Sequence, residues 1–396
     1  MFNCNRYDVL VVGARCAGAA TAMLMARHGM NVLLIDRGAY GSDTISTHAL
    51  MRGGVLQLHR WGLLPRIIAA DTPAVRTTTL HYGSDVLEVA VKSVQGVDAL
   101  YAPRRTVLDT VLVDAARDAG ADVRHGYLLA SLRQRPDGRI NGATVIDPNG
   151  NRHEIMADLV IGADGIGSRV AQLAGAAVLR EAACSSAVVY GHWNGMKSRG
   201  YRWHYIPGAS AGVIPTNDGR CCVFAAVAAS RFRAAIRHDP MSGYQRALAE
   251  AAPGLSETMA ISTLENRLWV FAGRKGYMRQ ACGPGWALVG DAGYFKDPLT
   301  AHGITDALRD AALLTEAAAS GTDTGLAAYA ATRDALSLPL FKLTEAIASF
   351  QWDIETVQRH HHALNAAMKT EVEHLASLRV PAARAAHPTR KQEKAA

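Results

Sequence analysis

Much of what this chain is not follows from what it lacks. In 396 residues no apolar run approaches the roughly 18–20 residues of a membrane-spanning helix, so no membrane span is expected. The opening MFNCNRYDVLVVG has no basic region followed by an apolar stretch and a cleavage site. No signal peptide is expected there, and a cytoplasmic setting follows. The six cysteines are scattered, with Cys221 and Cys222 adjacent and none in a C-x-x-C pair. That fits reduced thiols and gives no support for a zinc site. Aromatics make up only 6% of the residues and do not interleave with a basic cluster, so a nucleic-acid partner is not expected. There are no internal repeats. The net charge of +7 reads as a dispersed basic surface plus the stretch 390–394, a field that also draws in anionic cofactors or substrates.

What is present points to an α/β protein. Half of the chain is hydrophobic and 36 residues are glycine, enough for a large core with tight strand–helix turns. Residues 7–12 form an apolar run, interrupted only by Asp8, that ends at Gly13, the pattern of a parallel strand buried on both faces. A helix follows through Arg27, closed by Gly29, and a second buried strand, 31–35, ends at Asp36. Strand, glycine turn, helix, strand and acid in this order make a dinucleotide-binding fingerprint. Gly13 makes the turn, the pyrophosphate sits at the helix start near Ala17, and Gly18 lets helix pack on strand. Asp36, followed by Arg37, is placed to accept from the adenosine ribose. Arg15 stands where the fingerprint has its middle glycine, and its guanidinium can meet the phosphates itself.

The stretch 286–311, WALVGDAGYFKDPLTAHGITDALRDA, is a second organising element. A short strand stops at Gly290-Asp291 and so offers a carboxylate beyond the sheet edge, where open α/β folds bind ligands. A loop stiffened at Pro298 leads to Gly303, which opens a helix with apolar residues at Ile304, Ala307, Leu308 and Ala311. Its first N–H groups carry partial positive charge. A polyol joined to a group that becomes anionic would suit both features. The ribityl chain and the N1–C2=O edge of a flavin are such a pair.

Between these motifs, 42–64 reads as a polar loop running into an amphipathic helix, with Ser46, Thr47 and His48 at its start. Residues 77–91 alternate as a hairpin around Gly83-Ser84. A periodic helix follows Pro103, led by Arg104 and Arg105. Another buried strand within 158–170 ends at Asp164-Gly165. Residues 185–227 are rich in alternating strands, 232–252 read as helix, and 267–272 are expected to return to the nucleotide domain. Residues 326–333 read as a short helix, with long helices from Pro339 onward. His360, His361 and His362 spread around such a helix, cannot converge on one metal, and are read as surface residues.

Three signals in this order, the 13–18 fingerprint with Asp36, Asp164-Gly165, and Gly290-Asp291 with Pro298 and Gly303, resemble the FAD-dependent aromatic hydroxylase superfamily. That superfamily also holds geranylgeranyl reductases and flavin-dependent halogenases. The resemblance covers roughly residues 5–335. It implies a Rossmann-like FAD-binding domain with a parallel sheet, in parts 1–75, 98–182 and 266–335. Substrate-sheet strands are expected at 76–97, an inserted antiparallel substrate domain at 183–265, C-terminal helices at 336–380 and a disordered tail at 381–396. It further implies that Arg105, opening an R-x-x-L-D helix, reaches the FAD phosphates, and that Asp291 holds the ribityl region. Pro298 would line the flavin face, and Ala301, His302, Gly303 and Ile304 would meet its N1 and O2 edge. Two departures stand out: Ala301 replaces the first glycine of P-x-x-G-x-G, and Arg169 directly follows Ser168 where the superfamily's arginine comes later.

The activity implied is that of an FAD monooxygenase. Such an enzyme uses NAD(P)H and O2 to hydroxylate or epoxidise a small aromatic or apolar substrate through a flavin C4a-hydroperoxide. Trp193, Trp203 and Phe224 are candidates to line the substrate, and His48, His204 or Tyr205 to act as base. A monomer or homodimer is expected. An alkene reductase of the geranylgeranyl type stays open, with Phe341, Phe350 and Trp352 offered for its apolar channel. So does a halogenase: Trp203-His204-Tyr205-Ile206-Pro207 falls short of W-x-W-x-I-P, and Lys92 is the only lysine before Lys197. A flavin-binding protein without turnover is the remaining alternative.

Overall fold

The computed structural model describes residues 6–380. The apolar runs form strands of a parallel sheet that are buried toward their C-terminal ends, with the partly buried Asp122–His125 at one edge. They lie in the order Trp286–Leu288, Arg152–Gly162, Arg6–Val12, Val32–Asp36 and Asp122–His125, all parallel. Val12 pairs with Gly162 and with Ile35, and Leu288 pairs with Gly162. The four strands that carry motifs therefore end level with one another. An antiparallel hairpin, Leu128–Gln134 with Ile140–Ile146, extends the sheet along the first half of Arg152–Gly162. Side chains of alternate sign divide the faces. Val9 and Val11 pack under the helices Cys16–Arg27, Arg105–Asp118 and Gly303–Ala318, and Leu10 and Val12 pack on the other side with Val170 and Trp286.

The alternating segments build a second sheet of seven strands. Its order is Thr263–Phe271, Ser186–Asn194, Cys221–Ala228, Ala209–Pro215, Tyr201–Ile206, Thr77–Tyr82 and Asp85–Ala90. Every pair is antiparallel except Tyr201–Ile206 with Thr77–Tyr82, which is parallel. One face, bearing Tyr190, Trp203, Tyr205 and Phe224, joins the nucleotide-domain core. The other, bearing Val189, Trp193 and Val213, is covered by the helices Pro240–Ala251 and Pro253–Ala260. The α/β fold class and its inserted sheet thus stand as expected.

Several local expectations need correction. Residues 267–271 do not return to the nucleotide domain but complete the edge strand Thr263–Phe271 against Ser186–Asn194. The region 232–252 is two helices, Ala229–Ala235 and Pro240–Ala251, the second started by Pro240 and capped by Asp239 on the Ser242 amide, because proline suits a first turn. Pro339 starts nothing: it lies inside a continuous helix, Asp323–Ala348. A final helix, Ile354–Ser377, packs on it. His361 on that helix is not a surface residue; its Nδ1 lies 2.9 Å from the Tyr82 hydroxyl and its ring 4.4 Å from that of Tyr205. The expected tail at 381–396 falls outside the described residues. Among the described residues no helix is long and apolar enough to cross a membrane.

Candidate active site

Because the parallel strands end level, the motifs carried at their C-terminal ends share one edge. Gly13 adopts φ +104°, and a Cβ there would sit 2.4 Å from the Ala163 carbonyl oxygen; one on Gly18 would sit 1.7 Å from the Gly13 carbonyl oxygen. Only glycine lets the first turn lie against both the 162–164 turn and its own helix. The Cys16–Arg27 helix starts without a side-chain cap, so its first amides are free for an anion. Arg15 is extended, with φ −86° and ψ −168°, so the missing middle glycine costs no strain. Its guanidinium donates to Asp109 at 3.2 Å, and Arg105 donates to the same carboxylate at 3.0 Å. Two cations share one anion, which leaves positive charge beside the fingerprint turn. Asp36 accepts from the amides of Ala14 and Gly38, both at 2.6 Å. Its carboxylate thereby shapes the turn and also borders a recess with Ala39, Gly41, Val113 and His125. Arg37 is exposed beside it, and Ala17 packs under Gly290.

Asp164 is held by the turn that follows its own strand. It accepts from the Ser168 hydroxyl at 2.5 Å and the Arg169 amide at 2.6 Å, so its carboxylate caps the turn and does not point outward. Tyr277, which no sequence signal indicated, joins the two acidic motifs. Its hydroxyl reaches the carbonyl oxygens of Asp291 (2.6 Å) and Ile166 (3.0 Å). No donor among the described residues bonds the Asp291 carboxylate. Burial pushes that carboxyl up to about 6, against the pull of Lys296 and Arg105.

Asp297 anchors the loop that leads into the Gly303–Ala318 helix. It accepts from the amide and hydroxyl of Ser186, both at 2.6 Å, and from the Leu299 amide at 3.1 Å. Burial pushes its carboxyl up to about 6 even so. The loop is thereby pinned to the second sheet. Asp297→Ala is expected to lower stability by about 3 kcal/mol, since it leaves a buried amide and hydroxyl unpaired; a denaturation midpoint unchanged from wild type would refute that role.

Pro298 is half-buried, and Ala301 holds φ +50°, the left-handed conformation for which the superfamily keeps glycine. Gly303 is exposed, with open space around a Cβ, and its helix has no side-chain cap. Ile304 packs against the core. The His302 side chain meets Glu371 Oε2 with its Nε2 at 2.7 Å. Glu371 comes from the Ile354–Ser377 helix and also accepts from Arg309 at 2.8 Å. Arg309 holds Asp306 and Asp310 as well, Lys296 pairs with Asp306, and Asp310 accepts from the Gly290 amide at 3.0 Å. The helix expected to bury one apolar face therefore buries a network of charge too. His302, Asp306 and Glu371 are close enough to suggest a metal centre, but an ammonium and a guanidinium already hold those oxygens.

The sheet-borne candidates separate. Trp203 and Phe224 stand 5.6 Å apart on the face toward the nucleotide domain. Trp193 is on the opposite face, donating to the Tyr244 hydroxyl at 3.2 Å, so it does not line a substrate site. Strand alternation also turns His204 away from Trp203 and Tyr205, and it stacks on His81 at 4.1 Å. Tyr205 is packed between Tyr82 and His361, and burial pushes its hydroxyl far up, which makes it a poor base. His48 is not at a helix start, since the helix begins at Arg52. It holds φ +69°, a strained conformation of the kind found at functional positions. Its Nε2 lies 2.8 Å from that of His192, and its buried Nδ1 has no partner. Burial pushes His48 well below its ordinary range and His192 down to about 4, so both rings are neutral near pH 7. Nothing in the sequence announced His192, whose strand position alone turns it toward His48.

The donor set fits FAD: an uncapped helix start with surplus cationic charge for the diphosphate, a second uncapped helix start, and a carboxylate without a donor between them. Fold and site together define a flavin-dependent oxidoreductase. The FAD binding domain family matches residues 6–338, and the chain belongs to it. Digeranylgeranylglycerophospholipid reductase 1 of Methanopyrus kandleri is 31% identical over 322 residues, which span 76% of this chain and 77% of that protein. Among solved structures, the flavin-dependent brominase Bmp2 superposes with a TM-score of 0.77 at 16% identity, over 95% of this chain and 96% of that one. PqsL of Pseudomonas aeruginosa, a probable FAD-dependent monooxygenase, gives a TM-score of 0.71 at 17% identity, over 92% of this chain and 100% of that one.

Proposed function

We propose that this protein is an FAD-dependent monooxygenase, reduced by NAD(P)H, that hydroxylates or epoxidises a compact aromatic or apolar molecule. In this reading the amides at 16–18, Arg15 and Arg105 hold the diphosphate, and Asp36 takes the adenosine ribose. Asp291 takes the ribityl chain, while Pro298 and residues 301–304 meet the flavin ring. Bound FAD supplies the two-electron chemistry that no side chain can perform. The chain's own part is placement, exclusion of water and movement of protons. Asp164 and Tyr277 keep the turns in register, and Trp203, Phe224 and Tyr190 offer an apolar aromatic face. His48, neutral and in the tautomer that donates its Nε2 hydrogen to His192, would accept the proton of a substrate hydroxyl on its unpartnered Nδ1.

One observation carries the choice: the sheet face turned toward the motif edge is aromatic and closely packed, with a buried histidine pair at its margin. Of the aromatics offered for a long apolar channel, Phe341 packs against Tyr294 in a separate cluster, while Phe350 and Trp352 pack on each other within the core that the sheet face joins. Lys92, offered for halogenation, is exposed. An alkene reductase is the second reading, and the 31% identity to the Methanopyrus enzyme over most of both chains favours it. Supplying candidate phenols, alkenes and prenyl lipids with NAD(P)H under labelled O2, and again under nitrogen, separates the two. Labelled oxygen in the product is the expected result. Deuterium entering an alkene from heavy water under nitrogen, with no oxygen transfer, would overturn the monooxygenase reading in favour of the reductase.

A further inference from the structure

The side chains of the buried charge network behind the Gly303–Ala318 helix carry out no step of the proposed reaction, and their charges are unbalanced. Lys296, His302, Asp306, Arg309, Asp310 and Glu371 are each at most 5% exposed. Within these six, Lys296 and Arg309 face three carboxylates, so with His302 neutral they lack one positive charge; from outside, Arg333 faces Asp310 and Asp291 faces Lys296. Burial, with Arg309 adding to it, pulls Lys296 down to about 7, so the deficit is no smaller near neutral pH. Burial raises Glu371, but the hydrogen bond from His302 and the Arg309 guanidinium beside it hold it below the ordinary carboxylate range. Being ionised, it only accepts. The 2.7 Å contact therefore places a hydrogen on His302 Nε2 and leaves Nδ1 a bare lone pair, buried and without a partner. Burial holds His302 below its ordinary range; Glu371 works against that, and Lys296 and Arg309 add to it. Asp306, 3.9 Å from Nε2, is the remaining charged neighbour.

We propose that His302, positioned by Glu371, takes up one proton from solvent on Nδ1 when FAD held at this helix start is reduced. The inference rests on the FAD assignment above. Hydride transfer brings two electrons and one proton, so the site gains one negative charge. Beside a network already short of positive charge, a further buried negative charge is costly. A proton on Nδ1 removes the deficit and turns a bare acceptor into an N–H donor at the uncapped start of the helix. Glu371 continues to accept from Nε2. His302 is a positioning and charge-compensating residue here; it takes no part in bond making on the substrate.

The test is the pH dependence of the midpoint potential of FAD on the full-length holoprotein, measured by equilibration with reference dyes. One proton per two electrons changes the equilibrium tenfold per pH unit, about 30 mV, and two protons change it a hundredfold, about 59 mV. Wild type is expected to show the steeper slope across part of about pH 6 to 8, where histidine titration is tunable, with the absorbance of anionic reduced flavin. His302→Gln is expected to show the shallower slope throughout. A tenfold slope in wild type would overturn the inference, and needs no variant that folds. So would the steeper slope with the absorbance of neutral reduced flavin, because the proton would then be on the cofactor. A steep slope retained in His302→Gln would place the proton on another group such as Lys296 and overturn the assignment. Protein that never binds FAD would overturn the cofactor assignment and this inference with it, which separates the two failures.

Discussion

Arg309→Ala is expected to destabilise the protein by about 3–5 kcal/mol, the cost of leaving buried carboxylates without their cation. Arg309 is wholly buried and, among the described residues, is the one side chain that touches Asp306, Asp310 and Glu371 together. Removing it leaves Asp310 and Glu371, both wholly buried, without a permanent cation in contact among the described residues, and Asp306 with Lys296 alone. Because Asp310 also accepts from the Gly290 amide, the damage should reach the Gly-Asp turn and weaken FAD retention. Urea denaturation of the full chain would measure the first effect and the flavin-to-protein ratio the second. Arg359→Ala makes the control: its partner Glu355 is on the same exposed helix face, with side chains 65% and 79% accessible, and surface pairs of this kind contribute little. A loss from Arg309→Ala no larger than the control's would mean that water reaches the network, and the argument from burial would fail.

Gly18→Ala is expected to abolish tight FAD binding while leaving most of the second sheet folded. The added methyl would meet the Gly13 carbonyl oxygen at 1.7 Å and the Ala163 side chain at 3.0 Å. The first of these is backbone, which cannot rotate aside. The helix must then move away from the strand, and its free amides move with it. Overpacking of this type costs about 1–3 kcal/mol, and about 2.7 kcal/mol taken from binding is a hundredfold loss of affinity. Isothermal titration of apoprotein with FAD reads this directly. Affinity within threefold of wild type would show that the helix start is not where the diphosphate binds.

The parts of the site that were legible in the sequence are those built by turns. Gly13, Gly18 and Ala301 sit where the backbone adopts a special conformation or comes very close to other backbone, and such demands are met by neighbours in the chain. The position of a strand-ending Asp is equally local. What its carboxylate does is not. Asp164 and Asp291 end neighbouring strands in similar motifs, yet one caps its own turn and the other has no donor. That difference comes from Ser168 and from the burial imposed by surrounding elements. The sheet candidates show the same limit. Period-2 alternation identifies two faces for Trp193, Trp203 and His204, but which face meets the nucleotide domain depends on where the helices Pro240–Ala251 and Pro253–Ala260 settle.

By itself, then, the sequence determined the α/β fold and the FAD-binding class, because turn geometry and apolar periodicity are properties of contiguous residues. Only the tertiary structure decided the chemistry around them. Glu371 lies 69 residues beyond its partner His302, and His192 lies 144 residues beyond His48. Neither pairing has a local signature. Packing alone brings these groups together, and burial then sets which of them carry charge.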